Sequence, residues 1–305
     1  VTVQPGVIRD ELNAYLASYG LFFGPNTSTS NRCMIGGMVG NNSSGTTSIK
    51  YGVTRDKVRQ IDGFLSDGTK LCLSALTKEQ LKAKEGIPNR EGIIYQRIHD
   101  LLTPAAVQEG IRQGYPLPEI HRRNTGYAID QLIDTTAFDP QASQDLNLAS
   151  LMCGSEGTLF FSTAITLSLD HLPPPLSSMV VAQYEALSDC MNDVVVAMKH
   201  DLYTCELMDD VILDCTKNNK VYQDYGFFIS GRPKAVLFME CRARDQSDLD
   251  QQVADLMKDL SAQSRAYALT TLTGTEIDQA MDLRKAGLGL LGSMIGDKKA
   301  VACIE

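Results

Sequence analysis

The sequence predicts an α+β protein in two parts, and three observations carry that reading. A run rich in Gly, Ser, Thr and Asn over residues 22–52 breaks an opening helix pattern and is followed by a hairpin pattern. Pro173, Pro174 and Pro175 then supply a stiff connection. Beyond them strands and helices follow in the order βααβαβα, which suits an antiparallel sheet with helices on one face, a ferredoxin-like layer arrangement. The expected division is residues 1–172 and 173–305, each long enough to bury its own core.

In the first part, residues 7–19 place Ile8, Leu12 and Leu16 at helical spacing, and Gly20 stands where a helix end favours a positive φ. The run from Phe22 to Gly52 leaves Ile35, Met38 and Val39, too few for a long amphipathic face, so a loop is expected. Residues 58–74 read as two strands around a Ser66-Asp67-Gly68 turn. Residues 76–148 are more polar and helical in pattern, with helices beginning at Thr77, Glu91 and Pro104, and read as an insertion. Residues 157–169 return to strand. In the second part the pattern gives strands at 178–185, 234–242 and 265–272, and helices at 187–199, 205–217, 247–263 and 275–290.

Composition excludes several classes. The 305 residues carry 28 Lys plus Arg against 37 Asp plus Glu, a net charge of −9, so a nucleic acid would meet repulsion. No stretch reaches the roughly 18 apolar residues of a membrane span. The eight cysteines include no CxxC and the four histidines no HxxxH, so buried free thiols are expected and no metal site. Val1 to Gly6 and Ala300 to Glu305 both read as strands cut from a longer chain, and a fragment at both ends is expected.

Three glycine clusters compete for a binding role. Gly287, Gly289 and Gly292 spell a dinucleotide fingerprint, but a helix pattern over 275–286 leads into them where a strand belongs, so a helix end or a tight helix–sheet contact is expected. Gly40 to Thr47 lacks the lysine of a nucleoside triphosphate loop. The third is the whole run from Gly24 to Gly45, closed by Tyr51 and Gly52. Its glycines free successive N–H groups to approach one object, and a diphosphate fits, with only Arg32 and Lys50 adding charge nearby. A surface loop of tight turns fits that composition equally well.

A second segment, Cys153-Gly154-Ser155-Glu156-Gly157-Thr158-Leu159-Phe160, changes the balance. Together the two resemble the FAD-binding domain of the vanillyl-alcohol oxidase or PCMH type, within the group of D-lactate dehydrogenase, glycolate oxidase subunit and D-2-hydroxyglutarate dehydrogenase. The matching residues are Pro25, Ser30, Ile35, Gly36, Gly37, Gly40, Asn41, Asn42, Gly45, Tyr51 and Gly52, then Gly154, Ser155, Glu156, Gly157, Thr158 and Leu159. Asn124-Thr125-Gly126-Tyr127 also fits the group. Cys33-Met34, Phe160 and the long insertion depart from its pattern.

The resemblance implies the second subdomain of a PCMH-type FAD-binding domain over residues 1–172 and a ferredoxin-like substrate domain over 173–305. It implies FAD as cofactor, a D-2-hydroxy acid as substrate, and electron transfer to an iron–sulfur module or the quinone pool. A cytoplasmic protein, peripheral to the inner membrane at most, is expected. The first flavin subdomain is expected before Val1 and the catalytic base beyond Glu305, so the isolated chain is expected to be inactive and to hold FAD weakly. The resemblance places Arg284 against the substrate carboxylate, where a guanidinium fork suits the task; a solvated helix residue fits the local pattern as well. Lys298 or Lys299 and the His121-Arg122-Arg123-Asn124 corner are weaker candidates, the corner reading mainly as solvated charge. A flavoenzyme of the same fold with another substrate, and a binding module without catalysis, are the alternative readings.

Overall fold

The computed structural model describes residues 1–292 apart from Pro118, His121, Asn124, Thr125, Asn218 and Lys220. The chain divides into two compact units, residues 1–172 and the part from Pro173 onward.

The first unit opens with β1 (Thr2–Val3), α1 (Arg9–Ala17) and β2 (Leu21–Phe22), then α2 (Ile35–Asn41), α3 (Ser48–Tyr51) and α4 (Thr54–Lys57). The expected hairpin follows as β3 (Val58–Phe64) and β4 (Lys70–Ser74), turning at Gly68 with φ 83°. The insertion contributes α5 (Lys78–Glu85), α6 (Arg90–Leu102), α7 (Ala105–Gly114) and α8 (Asp130–Ile133), and α9 (Ala149–Met152) follows it. The unit closes with β5 (Phe161–Leu167) and β6 (Asp170–His171).

Strands β1, β5, β3 and β4 form one antiparallel sheet in that order, and β2 pairs with β6. Along β4, buried Leu71 and Leu73 alternate with more accessible residues, the mark of a sheet with one face in the core. Ile61, Ile165, Leu71 and Leu73 pack there with Leu12, Ile35, Met38, Tyr95 and Leu102 from the helices.

Two expectations fail in this unit. The glycine run is not all loop, because Ile35–Asn41 is helical and buries Ile35, Met38 and Val39. Those three lie at i, i+3 and i+4, too short a stretch to register as a helical period. Three glycines in seven residues each oppose a helix by about 1 kcal/mol, so burial of the apolar side chains holds α2. Strand β5 begins at Phe161 rather than 157. Gly154, Glu156 and Gly157 take φ of 90°, 51° and 71°, a left-handed series that no strand accommodates.

The second unit runs β7 (Leu176–Tyr184), α10 (Leu187–Ala197), β8 (Thr204–Asp209), α11 (Asp210–Lys217), β9 (Ala235–Ala243), α12 (Gln246–Gln263), β10 (Ala268–Thr273) and α13 (Thr275–Gly292). All pairings are antiparallel in the order β10-β7-β9-β8, a ferredoxin-like sheet. Both faces are covered, not one. Val180, Ala182, Leu237 and Met239 face Cys190 of α10 and Leu256 of α12, while Met179, Val181, Phe238 and Leu272 face Leu213 of α11 and Leu283 of α13. Strand β7 accordingly buries seven consecutive residues from Ser178 to Tyr184.

The helix expected over 205–217 is a strand to Asp209 and a helix only from Asp210. Thr204, Glu206 and Met208 are buried while Cys205, Leu207 and Asp209 are half-buried, a period of two that edge pairing with β9 enforces. Gly287 and Gly289 lie inside α13, whose described residues end at Gly292, the last glycine of the cluster. A Cβ on Gly287 would meet Ile212 of α11 at 3.0 Å, so this glycine serves a helix–helix approach. Lys298, Lys299 and the closing strand expected at residues 300–305 lie outside the described residues, as do His121 and Asn124.

Candidate functional site

The first unit brings its two distant segments together with main-chain hydrogen bonds. Helix α2 ends at Asn42, whose left-handed φ of 51° turns the chain back across residues 153–157. Gly154 N–H donates to the Val39 carbonyl at 2.9 Å, and Glu156 N–H donates to the Gly40 carbonyl at 2.8 Å. The Asn41 side-chain amide adds a bond to Glu156 Oε1 at 3.1 Å. A Cβ on Gly40 would lie 3.7 Å from the Glu156 Cα, so the two backbones touch at that point.

Arg55, which sequence reasoning missed, clamps both sides of this junction. Its main-chain N–H donates to Asn42 Oδ1 at 2.8 Å, and its guanidinium donates from Nε to the Ser150 carbonyl at 3.1 Å and from Nη2 to the Cys153 carbonyl at 2.6 Å. Burial lowers the Arg55 pKa from its ordinary value, and Cys153 and Asp130 oppose that shift. The buried Cys153 thiol is pushed up to about 12 by desolvation, which makes it an inert packing group. No periodicity marks an arginine for such a place; only the proximity of residues 42 and 150–153 reveals it.

The insertion also reaches the junction. Tyr127 and Thr158 share a hydroxyl hydrogen bond at 2.8 Å, Arg122 Nε donates to Ser44 Oγ at 3.1 Å, and Tyr115 donates to the Tyr127 carbonyl at 2.6 Å. Arg123 is ion-paired with the buried Asp130 and donates to the Pro116 carbonyl at 3.1 Å. Of the basic corner, Arg122 is exposed as expected, whereas Arg123 is half-buried and engaged within the fold.

Several of the remaining residues serve the fold directly. The Ile35 and Gly36 amides donate to Val7 and Pro5 carbonyls at 2.9 and 2.8 Å. A Cβ on Gly36 would lie 2.6 Å from Pro5 Cβ, and one on Gly45 only 2.1 Å from the Asn26 carbonyl oxygen. Ser30 Oγ donates to Asp10 at 2.9 Å, Ser155 Oγ to the Met152 carbonyl at 2.8 Å, and the Pro25 carbonyl accepts from Arg9 at 3.0 Å. Tyr51 stands edge-on to Phe22 at 4.9 Å, beneath Lys57, which is paired with Asp170 at 2.7 Å. By contrast, a Cβ on Gly37 or Gly157 would meet nothing within 4 Å. These two backbone positions beside the junction face open space.

The comparisons follow the same order along the chain. Residues 1–74 match the FAD binding domain and residues 173–305 match the C-terminal domain of the FAD linked oxidases. Both matches are to domains of the FAD-linked oxidases, and the chain is similar to that family over these two stretches. A D-2-hydroxyglutarate dehydrogenase of Pseudomonas putida is 28% identical over all of this chain and 30% of its own length. The D-2-hydroxyglutarate dehydrogenase of Escherichia coli is likewise 28% identical over the same shares. The chain thus spans about a third of the length of these relatives. The glycolate oxidase subunit GlcD of Bacillus subtilis is 43% identical over 22% of the chain and 14% of its own length. An alkyldihydroxyacetonephosphate synthase structure superposes with a TM-score of 0.54 over 95% of this chain and 42% of that one, at 14% identity, a likeness of fold.

FAD is the cofactor of the FAD-linked oxidases, and the backbone at Gly37 and Gly157 faces open space beside the junction. In the second unit, Arg284 on α13 is ion-paired through Nη2 with Glu206 of β8, a buried partner invisible while residues 205–217 read as helix. Beside it on the same sheet face, Glu240 accepts from Arg242 Nε at 2.7 Å and from Thr204 Oγ1 at 3.3 Å, and burial raises its pKa. No group of three or more His, Cys, Asp or Glu suited to a metal occurs among the described residues. No described helix is long and apolar enough to cross a membrane. The described cysteines are free, with Cys153, Cys190 and Cys241 buried and Cys72 exposed against the expectation of burial.

Proposed function

We propose that this protein is an FAD-dependent dehydrogenase that oxidises a D-2-hydroxy acid. The observation that carries the reading is the pair of main-chain bonds from Gly154 and Glu156 to Val39 and Gly40, which join the two flavin segments into one surface. The relatives named as D-2-hydroxyglutarate and D-lactate dehydrogenases support the substrate class.

When bound, FAD supplies a two-electron acceptor for the hydride on the substrate α-carbon. Gly37 and Gly157 offer close backbone approach to it, and Asn41 and Glu156 border the same surface. Pro25, Ser30, Ile35, Gly36, Gly40, Asn42, Gly45, Tyr51, Gly154 and Ser155 act by holding these positions in place. Arg284 orients the substrate carboxylate with guanidinium N–H groups that its single bond to Glu206 leaves over. An iron–sulfur module or the quinone pool receives the electrons.

The test is flavin content and turnover of the natural protein that carries this chain. D-2-hydroxyglutarate, D-lactate, glycolate and the opposite hands are offered with an artificial electron acceptor. The expected result is one FAD per chain and turnover of a D acid. Replacing Gly37 with Leu is expected to weaken FAD binding at least about tenfold, roughly 1.4 kcal/mol, with little change in melting temperature. A protein without flavin absorbance that leaves every acid untouched overturns the proposal.

A further inference from the structure

Helix α10 is apolar on two sides. One side buries Cys190 and Ala197 against the sheet. The other presents Leu187, Met191, Val195 and Met198 to solvent, with 50%, 55%, 67% and 46% of their surface exposed. The spacing i, i+4, i+8, i+11 puts all four on one stripe about 16 Å long. A surface helix ordinarily turns polar residues outward, so this stripe calls for a partner.

We propose that the stripe pairs with the same stripe of a second copy, the two α10 helices running antiparallel about a two-fold axis. Its spacing is self-complementary in that direction: with the axis near Asn192, Leu187 meets Met198 and Met191 meets Val195. The charges agree. Exposed Glu185 precedes the helix and exposed Lys199 follows it, so antiparallel pairing sets Glu185 beside the partner copy's lysine at both ends, whereas parallel pairing stacks like on like. The neighbouring Asp189 is engaged within each copy, paired with Arg265 at 3.0 Å. The flanking Glu185, Ser188 and Asn192, on a chain of net charge −9, disfavour an anionic lipid surface as the occupant. One helix pair buries less than a standard interface, so the dimer is weak, with Kd on the order of 10 µM.

Sedimentation equilibrium of the natural protein between about 1 and about 200 µM tests this independently of any flavin reading. The expected result is a monomer–dimer equilibrium that Val195→Glu abolishes while the melting temperature holds. Glu185→Lys is expected to weaken the dimer several-fold, and Glu185→Lys combined with Lys199→Glu to restore it, since both ion pairs reverse together. A monomer at every concentration, or a dimer that survives Val195→Glu, overturns the proposal and gives the stripe to another occupant. A double charge reversal that stays as weak as the single one overturns the antiparallel arrangement.

Discussion

In residues 1–172 a sheet buries one face and leaves two distant segments to be joined by hydrogen bonds, whereas from Pro173 onward a sheet buries both faces and gathers its helices by apolar contact. The first arrangement needs backbone atoms within bonding distance, which glycine permits and any side chain obstructs. The second needs volume, and tolerates change wherever volume is kept. The proposed flavin surface therefore sits in the unit whose joints are least forgiving of a single methyl group.

The sharpest way to break this contrast is to damage each unit by its own means. Phe238→Ala empties a fully buried position in the second unit, and a loss of about 3–5 kcal/mol is expected. Calorimetry should show the transition of the second unit falling and that of the first unmoved. Gly45→Ala places a carbon 2.1 Å from the Asn26 carbonyl, and a loss of roughly 2–3 kcal/mol confined to the first unit is expected. Gly37→Ala, with nothing within 4 Å, is the matched control and should fold at least as well as the parent. Equal damage from the two glycine variants contradicts the account of the junction.

Arg55→Lys keeps the charge but loses the fork that reaches two carbonyls, and about 1–2 kcal/mol of stability in the first unit should go with it. Arg55→Met, which strands both carbonyls and shortens the donor set to none, should lose more; if both variants melt with the parent, the clamp is decorative.

The smallest effect concerns pH. Burial raises the Glu240 pKa, so its contribution to stability is full below the ordinary carboxyl value near 4.3 and is lost as pH rises through the folded value. Glu240→Gln removes that titration. Urea unfolding of the second unit should then show a flatter dependence above about pH 4, and the variant should compare best with the parent at neutral pH. A parent whose stability rises through that window contradicts the sign.

Much of the fold was legible because apolar spacing announces it. Leu12 and Leu16 gave α1, the residues around Asp67-Gly68 gave the hairpin, and the long helix over 247–263 was found nearly to the residue. Two of the missed elements were hidden for opposite reasons. Helix α2 is shorter than the window in which a period of 3.6 can be recognised, and three glycines hide it. Strand β8 offers apolar residues at both helical and alternating positions, and pairing with β9 decides between them. The site divides likewise. Its glycines were visible as letters, but Arg55, the Tyr127–Thr158 bond and the Glu206 partner of Arg284 depend on contacts between residues 31 to 98 positions apart.

The amino-acid order alone determined that two glycine-bearing segments exist, that they belong to a flavoprotein pattern, and that a proline-marked change of pattern follows them. Local conformational preference and composition act within a few residues, so they suffice for that. Which glycine serves the fold and which stands open was decided only in three dimensions. The same small residue at Gly45 and Gly37 faces a carbonyl oxygen in one place and empty space in the other, and what lies opposite a backbone atom is a property of the folded chain.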